Sequence, residues 1–186
     1  MRIIGGNFKG KKLFLPKDKN TRPLKDIVKE SIFNLIQHSK KIDVVIENSS
    51  VLDLFSGSGS FGIECISRGS KEVVFFENYP DAIKILEKNL NLFKKIDNHK
   101  IYTKNVYNFF SSDKSLNIKF DIIFIDPPYK DTKINEIIEL ILENKILSKN
   151  GILIIHRHKN DEIKIKSNLR IIEQRIYGIS KILFGN

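Results

Sequence analysis

Residues 51–62 read VLDLFSGSGSFG, an apolar run that passes directly into a loop with three glycines, Gly57, Gly59 and Gly62. A short apolar run that ends in a glycine-rich turn is typical of a buried parallel strand followed by a helix. Ligands in such sheets bind beyond the carboxyl ends of the strands, and glycines there let the backbone approach a ligand closely. This stretch therefore predicts the fold class and also the place where a ligand binds.

From this stretch onward, the sequence alternates between strands and helices. Strands are predicted at 50–55, 72–77, 99–103, 119–125 and 150–155, and helices at about 59–68, 80–94, 105–111 and 133–145. Continuous apolar strands separated by helices predict a parallel sheet that is covered on both faces. The tail, 169–178 and 179–184, has no room for a helix and predicts an antiparallel β-hairpin at the sheet edge. The predicted fold is therefore α/β, a mostly parallel seven-stranded sheet with an antiparallel C-terminal hairpin, and it is similar to the Rossmann-like class I methyltransferases.

Upstream of the sheet, the sequence predicts a small basic β-hairpin and a helix. Residues 2–4 and 12–15 are short β-prone runs joined by the basic link GGNFKGK. Apolar residues then recur at helical spacing over 23–38, behind a proline at an early helical position. With 186 residues, the chain has the length of one ordinary domain, so we expect a single domain over 1–186.

Basic residues are concentrated at the two ends of the chain. Residues 1–41 carry eleven basic and three acidic side chains, a net charge of +8, and residues 156–186 carry +4. The residues between them carry −2, although the whole chain has a formal charge of +10. A basic extension of this kind, 1–41, ahead of a core at 42–186, favours nucleic acid as the partner, because lysines and arginines neutralise phosphates. The alternative, that the lysines only aid solubility, predicts an even spread of charge.

Composition and pattern exclude several classes of protein. An apolar content of 41% and a charged content of 29% are typical of a globular domain and not of a disordered chain. The apolar runs, such as GILIIH at 151–156, fall short of the roughly 18 to 20 residues that span a bilayer. No secretory signal is readable, and Cys65, the single cysteine, cannot form a disulfide within the chain. We therefore expect a cytoplasmic protein that makes no contact with a membrane.

A carboxylate follows the second predicted strand at the position where nucleotide-binding sheets hold a ribose. Glu77 ends that strand eighteen residues after Gly59, and its carboxylate can accept hydrogen bonds from both ribose hydroxyls. The strand, glycine loop, helix and terminal acid together predict an adenosine-containing cofactor. The glycine spacing alone also fits a nicotinamide-dependent oxidoreductase, and the alternative without a ligand is a tight turn beside a surface glutamate.

The fourth predicted strand runs directly into Asp126-Pro127-Pro128-Tyr129. Two consecutive prolines force an extended, rigid exit from the strand, which presents the flanking groups at the same edge as the glycine loop. Asp126 and the carbonyl of Pro127 can accept the two protons of an exocyclic amino group on a nucleobase, and Tyr129 can stack on the base. The turn therefore predicts methyl transfer to an amino group, which needs no metal. The structural alternative is a proline-stiffened turn.

His156 and His158 flank Arg157 after the fifth predicted strand, and a His-x-His pair is one pattern of metal ligands. Nearby in the sequence, Asp161 and Glu162 are the further candidate ligands. We favour a loop-stabilising or RNA-contacting role for the two histidines over a metal site.

Motifs along nearly the whole chain resemble, in order, those of one family. They are MRIIGGNFKGKKL at 1–13, TRPLKDIVKESIFNLI at 21–36, VLDLFSGSGSFGIECISRG at 51–69, FFENYPDAIKILEKNL at 75–90, FDIIFIDPPY at 120–129 and RIYGISKILF at 175–184. The chain therefore resembles the RsmD family, the bacterial 16S rRNA (guanine(966)-N(2))-methyltransferases. The resemblance implies S-adenosylmethionine-dependent methylation of the exocyclic 2-amino group of one guanine in the 16S rRNA of the small ribosomal subunit.

Together, the motifs and the resemblance assign candidate roles to residues of this chain. The residues expected to hold S-adenosylmethionine are Asp53, Phe55, Gly57, Ser58, Gly59, Glu77, Asn105 and Val106. The residues expected to hold the target guanine are Asp126, Pro127, Pro128 and Tyr129, and those expected to bind RNA phosphates are Lys9, Lys11, Lys12, Arg22 and Lys25. Asn105 stands where many relatives have an acid near the adenine amino group, and its side-chain oxygen is the expected acceptor there.

Two further functions fit the same fold. A DNA adenine or cytosine amino-methyltransferase usually needs an extra segment that reads the major groove, whereas the stretch 63–125 is fully used by predicted strands and helices. A non-catalytic RNA-binding protein is disfavoured because Asp126 and Tyr129 are intact. We expect no metal and no obligate protein partner.

Overall fold

The computed structural model describes residues 1–16, 23–93, 96–112, 118–163 and 169–186. Its helices are α1 Asp26–His38, α2 Ser60–Ser67, α3 Pro80–Leu90, α4 Val106–Ser112 and α5 Ile134–Glu143. Its strands are β1 Ser50–Leu54, β2 Glu72–Phe76, β3 His99–Tyr102, β4 Phe120–Ile125, β5 Leu147–His158, β6 Ile171–Tyr177 and β7 Ser180–Gly185. These elements match the predicted alternation, with ends that differ by at most four residues.

Within the described ranges, seven strands form one sheet in the order β3-β2-β1-β4-β5-β7-β6. The first five strands are parallel to one another, and β7 pairs antiparallel with both β5 and β6. The chain therefore changes direction of winding between β1 and β4, the position at which open sheets of this kind bind ligands. The predicted α/β fold with an antiparallel C-terminal hairpin is confirmed.

Helices cover both faces of the sheet because the central strands are apolar on both faces. All five residues of β1 are buried; Val51 belongs to the core under α1, α2 and α3, and Leu52 to the core under α4 and α5. Alternate residues of one strand thus contribute to two separate cores. This double burial fixes the sheet register and, with it, the positions of the turns that follow the strands. No helix in the described ranges has the length and apolar character needed to cross a membrane.

The N-terminal extension pairs antiparallel, as predicted, in a short hairpin in which the backbone N–H of Ile3 donates to Lys11 and that of Leu13 to Met1. A single antiparallel bridge joins Arg2 to Lys12, and a short 3-10 turn, Gly6–Phe8, lies between them. Gly6 has a left-handed φ of 72°, and a side chain there would collide with the backbone of α2. The short hairpin therefore packs closely against α2. Helix α1 begins at Asp26, three residues later than predicted.

A buried ion pair attaches this extension to the core. The carboxylate of Glu64 in α2 accepts hydrogen bonds from the backbone N–H groups of Ile4 and Gly5, at 2.8 and 2.7 Å. Lys29 in α1 lies 3.5 Å from the same carboxylate and donates to the carbonyl of Arg2 at 2.7 Å. Both side chains are fully buried. Lys29 lies within the motif at 21–36, and its partner is Glu64 inside the protein.

Candidate active site

Three turns meet at a cavity of about 480 Å³ at the carboxyl edge of the sheet. These turns follow β1, β2 and β4, so the topology brings together segments that are far apart in the sequence. The predicted site residues that line the cavity are Asp53, Phe55, Gly57, Ser58, Glu77, Asp126, Pro127, Pro128 and Tyr129. The predicted cofactor loop and the predicted base-binding turn thus face one common space.

The turn after β1 requires left-handed backbone at three positions. Phe55, Gly57 and Gly59 have φ values of 60°, 55° and 77°. A Cβ on Gly59 would lie 2.3 Å from the side chain of Leu86 in α3, whereas a Cβ on Gly57 would meet no atom within 4 Å. Gly59 is therefore needed for packing against α3, and Gly57 is the glycine that leaves the backbone open toward the cavity.

Glu77 joins the turn after β1 to the turn after β2. One of its carboxylate oxygens accepts from the backbone N–H of Gly57 at 2.7 Å, and the other accepts from Asn78 and Tyr79, each at 2.9 Å. A carboxylate offers about four lone-pair positions, so these three bonds leave about one for a ribose hydroxyl. The backbone bonds hold the carboxylate at the wall of the cavity.

Asp53 places a second carboxyl group at this wall, although its side chain is almost fully buried. Burial, together with the negative charges of Asp126 and Glu77, raises the pKa of Asp53 to about 8, against a lowering by the backbone N–H of Gly62, which donates at 2.9 Å. Three carboxyl groups therefore converge on one cavity. An electronegative space of this kind favours a cationic ligand.

Asp126 is the first residue after β4, and it is bonded to a buried histidine. Its Oδ1 lies 2.8 Å from Nδ1 of His156 in β5. The ring of Tyr129 packs edge-on against the rings of His156 and His158, with centroids 6.1 and 5.4 Å apart. Both histidines therefore contact the turn after β4, which agrees with the loop-stabilising interpretation. The described residues contain no cluster of three or more histidine, cysteine or acidic side chains suited to a metal ion.

Arg157 is a contributor to the site that the sequence patterns did not identify as functional. Its guanidinium donates to the carbonyls of Pro128, Tyr129 and Asp131, at 3.1, 3.3 and 2.8 Å, and pairs with the carboxylate of Asp161 at 2.8 Å. Only 4% of the Arg157 side chain is exposed. The planar fork of an arginine suits several carbonyls at once, so this residue fixes the backbone of the turn. The available signal was an arginine between two histidines, directly after the apolar run of the fifth predicted strand.

Asn105 and Val106 do not reach the cavity. The side-chain oxygen of Asn105 accepts from the backbone N–H groups of Tyr107 and Asn108, at 3.0 and 3.2 Å, and so caps the start of α4. Val106 is buried in the core beneath α4 and α5. The oxygen expected to accept from an adenine amino group is therefore engaged by the backbone, because a helix start leaves N–H groups that need acceptors.

Four of the five predicted RNA-binding residues, Lys9, Lys11, Lys12 and Lys25, are exposed and lie away from the lining of the cavity. The fifth, Arg22, lies outside the described residues. The N-terminal extension nevertheless reaches the cavity through three apolar lining residues, Pro16, Pro23 and Leu24.

The sheet order, the glycine turn after β1 and the Asp-Pro-Pro-Tyr turn after β4 together define a class I methyltransferase, the class that uses S-adenosylmethionine. A family model described as "Conserved hypothetical protein 95" matches residues 1–186, and the chain belongs to that family. Its relatives include ribosomal RNA small subunit methyltransferase D of Haemophilus influenzae, which is 30% identical over 96% of this chain and 90% of its own length. The protein of the same name from Buchnera aphidicola subsp. Acyrthosiphon pisum is 32% identical over 94% of this chain and 86% of its own. The resemblance to the RsmD family is thereby confirmed.

Solved structures agree with this assignment. The structure of yhhF from Escherichia coli superposes with a TM-score of 0.84 at 27% identity, over 100% of this chain and 96% of that one. A conserved hypothetical protein from Streptococcus pyogenes superposes with a TM-score of 0.73 at 30% identity, over 86% of this chain and 95% of its own.

Proposed function

We propose that this protein methylates the exocyclic 2-amino group of a guanine in 16S rRNA, with S-adenosylmethionine as the methyl donor. The observation that carries the proposal is the convergence of the glycine turn, Glu77 and the turn Asp126 to Tyr129 on one cavity. The names of the relatives, which are ribosomal RNA small subunit methyltransferases, support the choice of substrate.

The cavity suits S-adenosylmethionine in shape and charge. Gly57 leaves its wall open, Glu77 presents a carboxylate for a ribose hydroxyl, and Asp53 presents a carboxyl group that a bound sulfonium would favour in its ionised form. Phe55 and Ser58 line the same wall. When bound, the cofactor supplies a methyl group on a sulfonium; the amine lone pair forms the new C–N bond as the C–S bond pair returns to sulfur, which becomes a neutral thioether.

The residues of the turn after β4 prepare the amine. The lone pair of an exocyclic amine is delocalised into the base, so the nitrogen attacks well only when acceptors orient its protons. The carboxylate of Asp126 and the carbonyl of Pro127 are the proposed acceptors, and one amine proton leaves toward Asp126 as the nitrogen gains the methyl group. Tyr129 stacks on the base and excludes water.

The basic extension holds the rRNA outside the cavity. Phosphate contacts from Lys9, Lys11, Lys12, Arg22 and Lys25 position the RNA, and the target guanine is turned out of its stack into the cavity. The substrate is the 16S rRNA within the small ribosomal subunit, so the protein acts in the cytoplasm. It needs neither a metal nor an obligate protein partner, and its residues 1–186 act as one methyltransferase domain.

Replacement of one carboxylate tests the proposal. Asp126→Ala is expected to lower methyl transfer to isolated small subunits at least a thousandfold and to leave the affinity for S-adenosylmethionine, measured by calorimetry, within about threefold. Asp81→Ala, on an exposed carboxylate of α3, is the control and should behave as wild type. Transfer from radiolabelled donor to subunits, naked 16S rRNA and duplex DNA, with mapping of the modified base, identifies the substrate. Unchanged turnover of Asp126→Ala, or a preference for DNA, contradicts the proposal.

A further inference from the structure

The register between β4 and β5 places a histidine beside the proposed catalytic carboxylate. Ile125 of β4 pairs with Ile155 of β5 in parallel register. The next residues along each strand are Asp126 and His156, so their side chains lie next to each other on the same face. The result is the 2.8 Å contact between Oδ1 of Asp126 and Nδ1 of His156.

Burial separates the roles of the two side chains. The His156 side chain is 1% exposed and the Asp126 side chain is 18% exposed. The imidazole therefore lies behind the cavity, whereas the carboxylate extends into its lining. A histidine behind a carboxylate cannot touch the substrate directly and acts on it only through that carboxylate.

The chemistry of the pair fixes the direction of the hydrogen bond. An ionised carboxylate has acceptor sites and no donor, so the imidazole nitrogen that faces Asp126 carries the proton. Nδ1–H then donates to Oδ1, and such a charge-assisted bond is stronger and better aligned than a neutral one. Oδ2 is the oxygen that is left for an incoming amine.

We propose that His156 is a positioning residue for methyl transfer, because its Nδ1–H holds one oxygen of Asp126 so that the other oxygen accepts a proton from the substrate amine. This inference rests on the proposed function of the cavity. The terminal torsion of an aspartate is broad, so an unheld carboxylate samples many orientations. Orientation errors of 10–20° or about 1 Å in such a group are enough to reduce turnover substantially, by up to about 100-fold.

Two substitutions at position 156 separate hydrogen bonding from packing. His156→Leu removes the N–H and is expected to lower kcat about 30- to 100-fold, with KM for S-adenosylmethionine within about threefold of wild type. His156→Asn places an amide N–H where Nδ1–H was and is expected to restore kcat to within about fivefold of wild type. His158→Leu is the control: it loses an edge contact with Tyr129 and no bond to Asp126, so it should change KM for the subunit more than kcat.

The outcomes are distinguishable from failure of the proposed function. A wild-type protein that methylates no ribosomal guanine refutes the function. If the wild-type protein methylates, two results overturn the positioning role. One is a His156→Leu variant with wild-type kcat. The other is equal impairment of His156→Leu and His156→Asn when circular dichroism shows both to be equally folded. Long-range ¹H–¹⁵N NMR of the histidine rings in the wild-type protein gives a readout that needs no variant to fold. We expect a protonated Nδ1 in His156 at pH 7.5, and a bare Nδ1 overturns the inference.

Discussion

The protonation of the Asp53 carboxyl group should respond directly to a cationic ligand in the cavity. Its raised pKa, about 8, means that it is largely protonated at pH 7 in the ligand-free protein. A sulfonium in the same cavity favours the ionised form, so binding of S-adenosylmethionine at pH 7 should release up to about one proton per site. Calorimetry in two buffers of different ionisation enthalpy measures this release.

Two controls isolate the source of that proton. S-adenosylhomocysteine lacks the sulfonium charge and should release fewer protons than S-adenosylmethionine. Asp53→Asn should bind without the additional release, and an equal release from this variant would assign the proton to another group.

The same carboxyl group gives a second prediction, for stability. Folded Asp53 binds a proton more tightly than unfolded Asp53, whose pKa is near 3.8. Between these pH values the folded state binds more protons than the unfolded state. The contribution of Asp53 to the free energy of unfolding is therefore full below about pH 4 and is lost as pH rises through about 8. Urea unfolding from pH 4 to pH 8.5 should therefore show a steeper decline for wild type than for Asp53→Asn. Parallel curves of unfolding free energy against pH for the two proteins would contradict this role of Asp53.

Arg157 controls the shape of the turn after β4, and its replacement by lysine keeps the charge but loses the planar fork. Arg157→Lys is expected to lower kcat about tenfold and the free energy of unfolding by about 2 kcal/mol, because a single ammonium cannot serve three carbonyls and Asp161. Arg175→Lys, at an arginine that is 44% exposed, is the matched control and should change neither quantity. Equal behaviour of the two variants would remove Arg157 from the support of the turn.

At the level of elements, helices α1 and α2 hold the N-terminal extension through the Lys29–Glu64 pair. Glu64→Ala leaves the buried ammonium of Lys29 without its counter-ion and two backbone N–H groups without their acceptor, so we expect a loss of about 3–5 kcal/mol in the free energy of unfolding. Faster tryptic cleavage after Lys9 to Lys12 should accompany it. Glu87→Ala, at an exposed glutamate of α3, is the control. Undiminished stability of Glu64→Ala would show that this ion pair is not what attaches the extension.

The elements show which boundaries the sequence can predict. Strand β5 was predicted over 150–155 and extends over Leu147–His158. Its additional residues at the carboxyl end, including the polar His156 and His158, are extended because β7 pairs with them antiparallel, His158 opposite Ser180. Apolar patterning detects burial of a strand, but not backbone pairing of polar residues with a strand that comes more than twenty positions later.

The candidate site was predictable to the extent that it depends on strand ends. The glycine turn, Glu77 and Asp126 each follow an apolar run, and parallel strands bring their carboxyl ends to one edge. The bond between Asp126 and His156 depends on a register set by two cores, which no local pattern encodes. The capping role of Asn105 was likewise hidden, because an asparagine before a helix can serve either a backbone N–H or a ligand.

For the whole molecule, the uneven charge is the property that separates an RNA-binding enzyme from a merely soluble one. The exposed residues Lys9, Lys11 and Lys12 lie outside the cavity, so they can contact phosphates without touching the target base. Replacing all three by glutamate is expected to weaken subunit binding at least tenfold and to reduce the slope of log K against log salt by about 2 to 3, because each lost phosphate contact removes about 0.7–0.9 from that slope. Affinity for S-adenosylmethionine should not change.

A charge-matched control distinguishes contact from net charge. Lys119, Lys145 and Lys149 are exposed and lie beside the amino ends of β4 and β5, at the sheet edge opposite the cavity. Their replacement by glutamate makes the same change in total charge. If the N-terminal lysines touch RNA, this control variant should nevertheless weaken binding much less and leave the salt slope nearly unchanged. Filter binding of labelled 16S rRNA and of small subunits from 50 to 300 mM salt measures both quantities. Equal losses in the two triple variants would mean that the overall positive field, and not the extension, attracts the RNA.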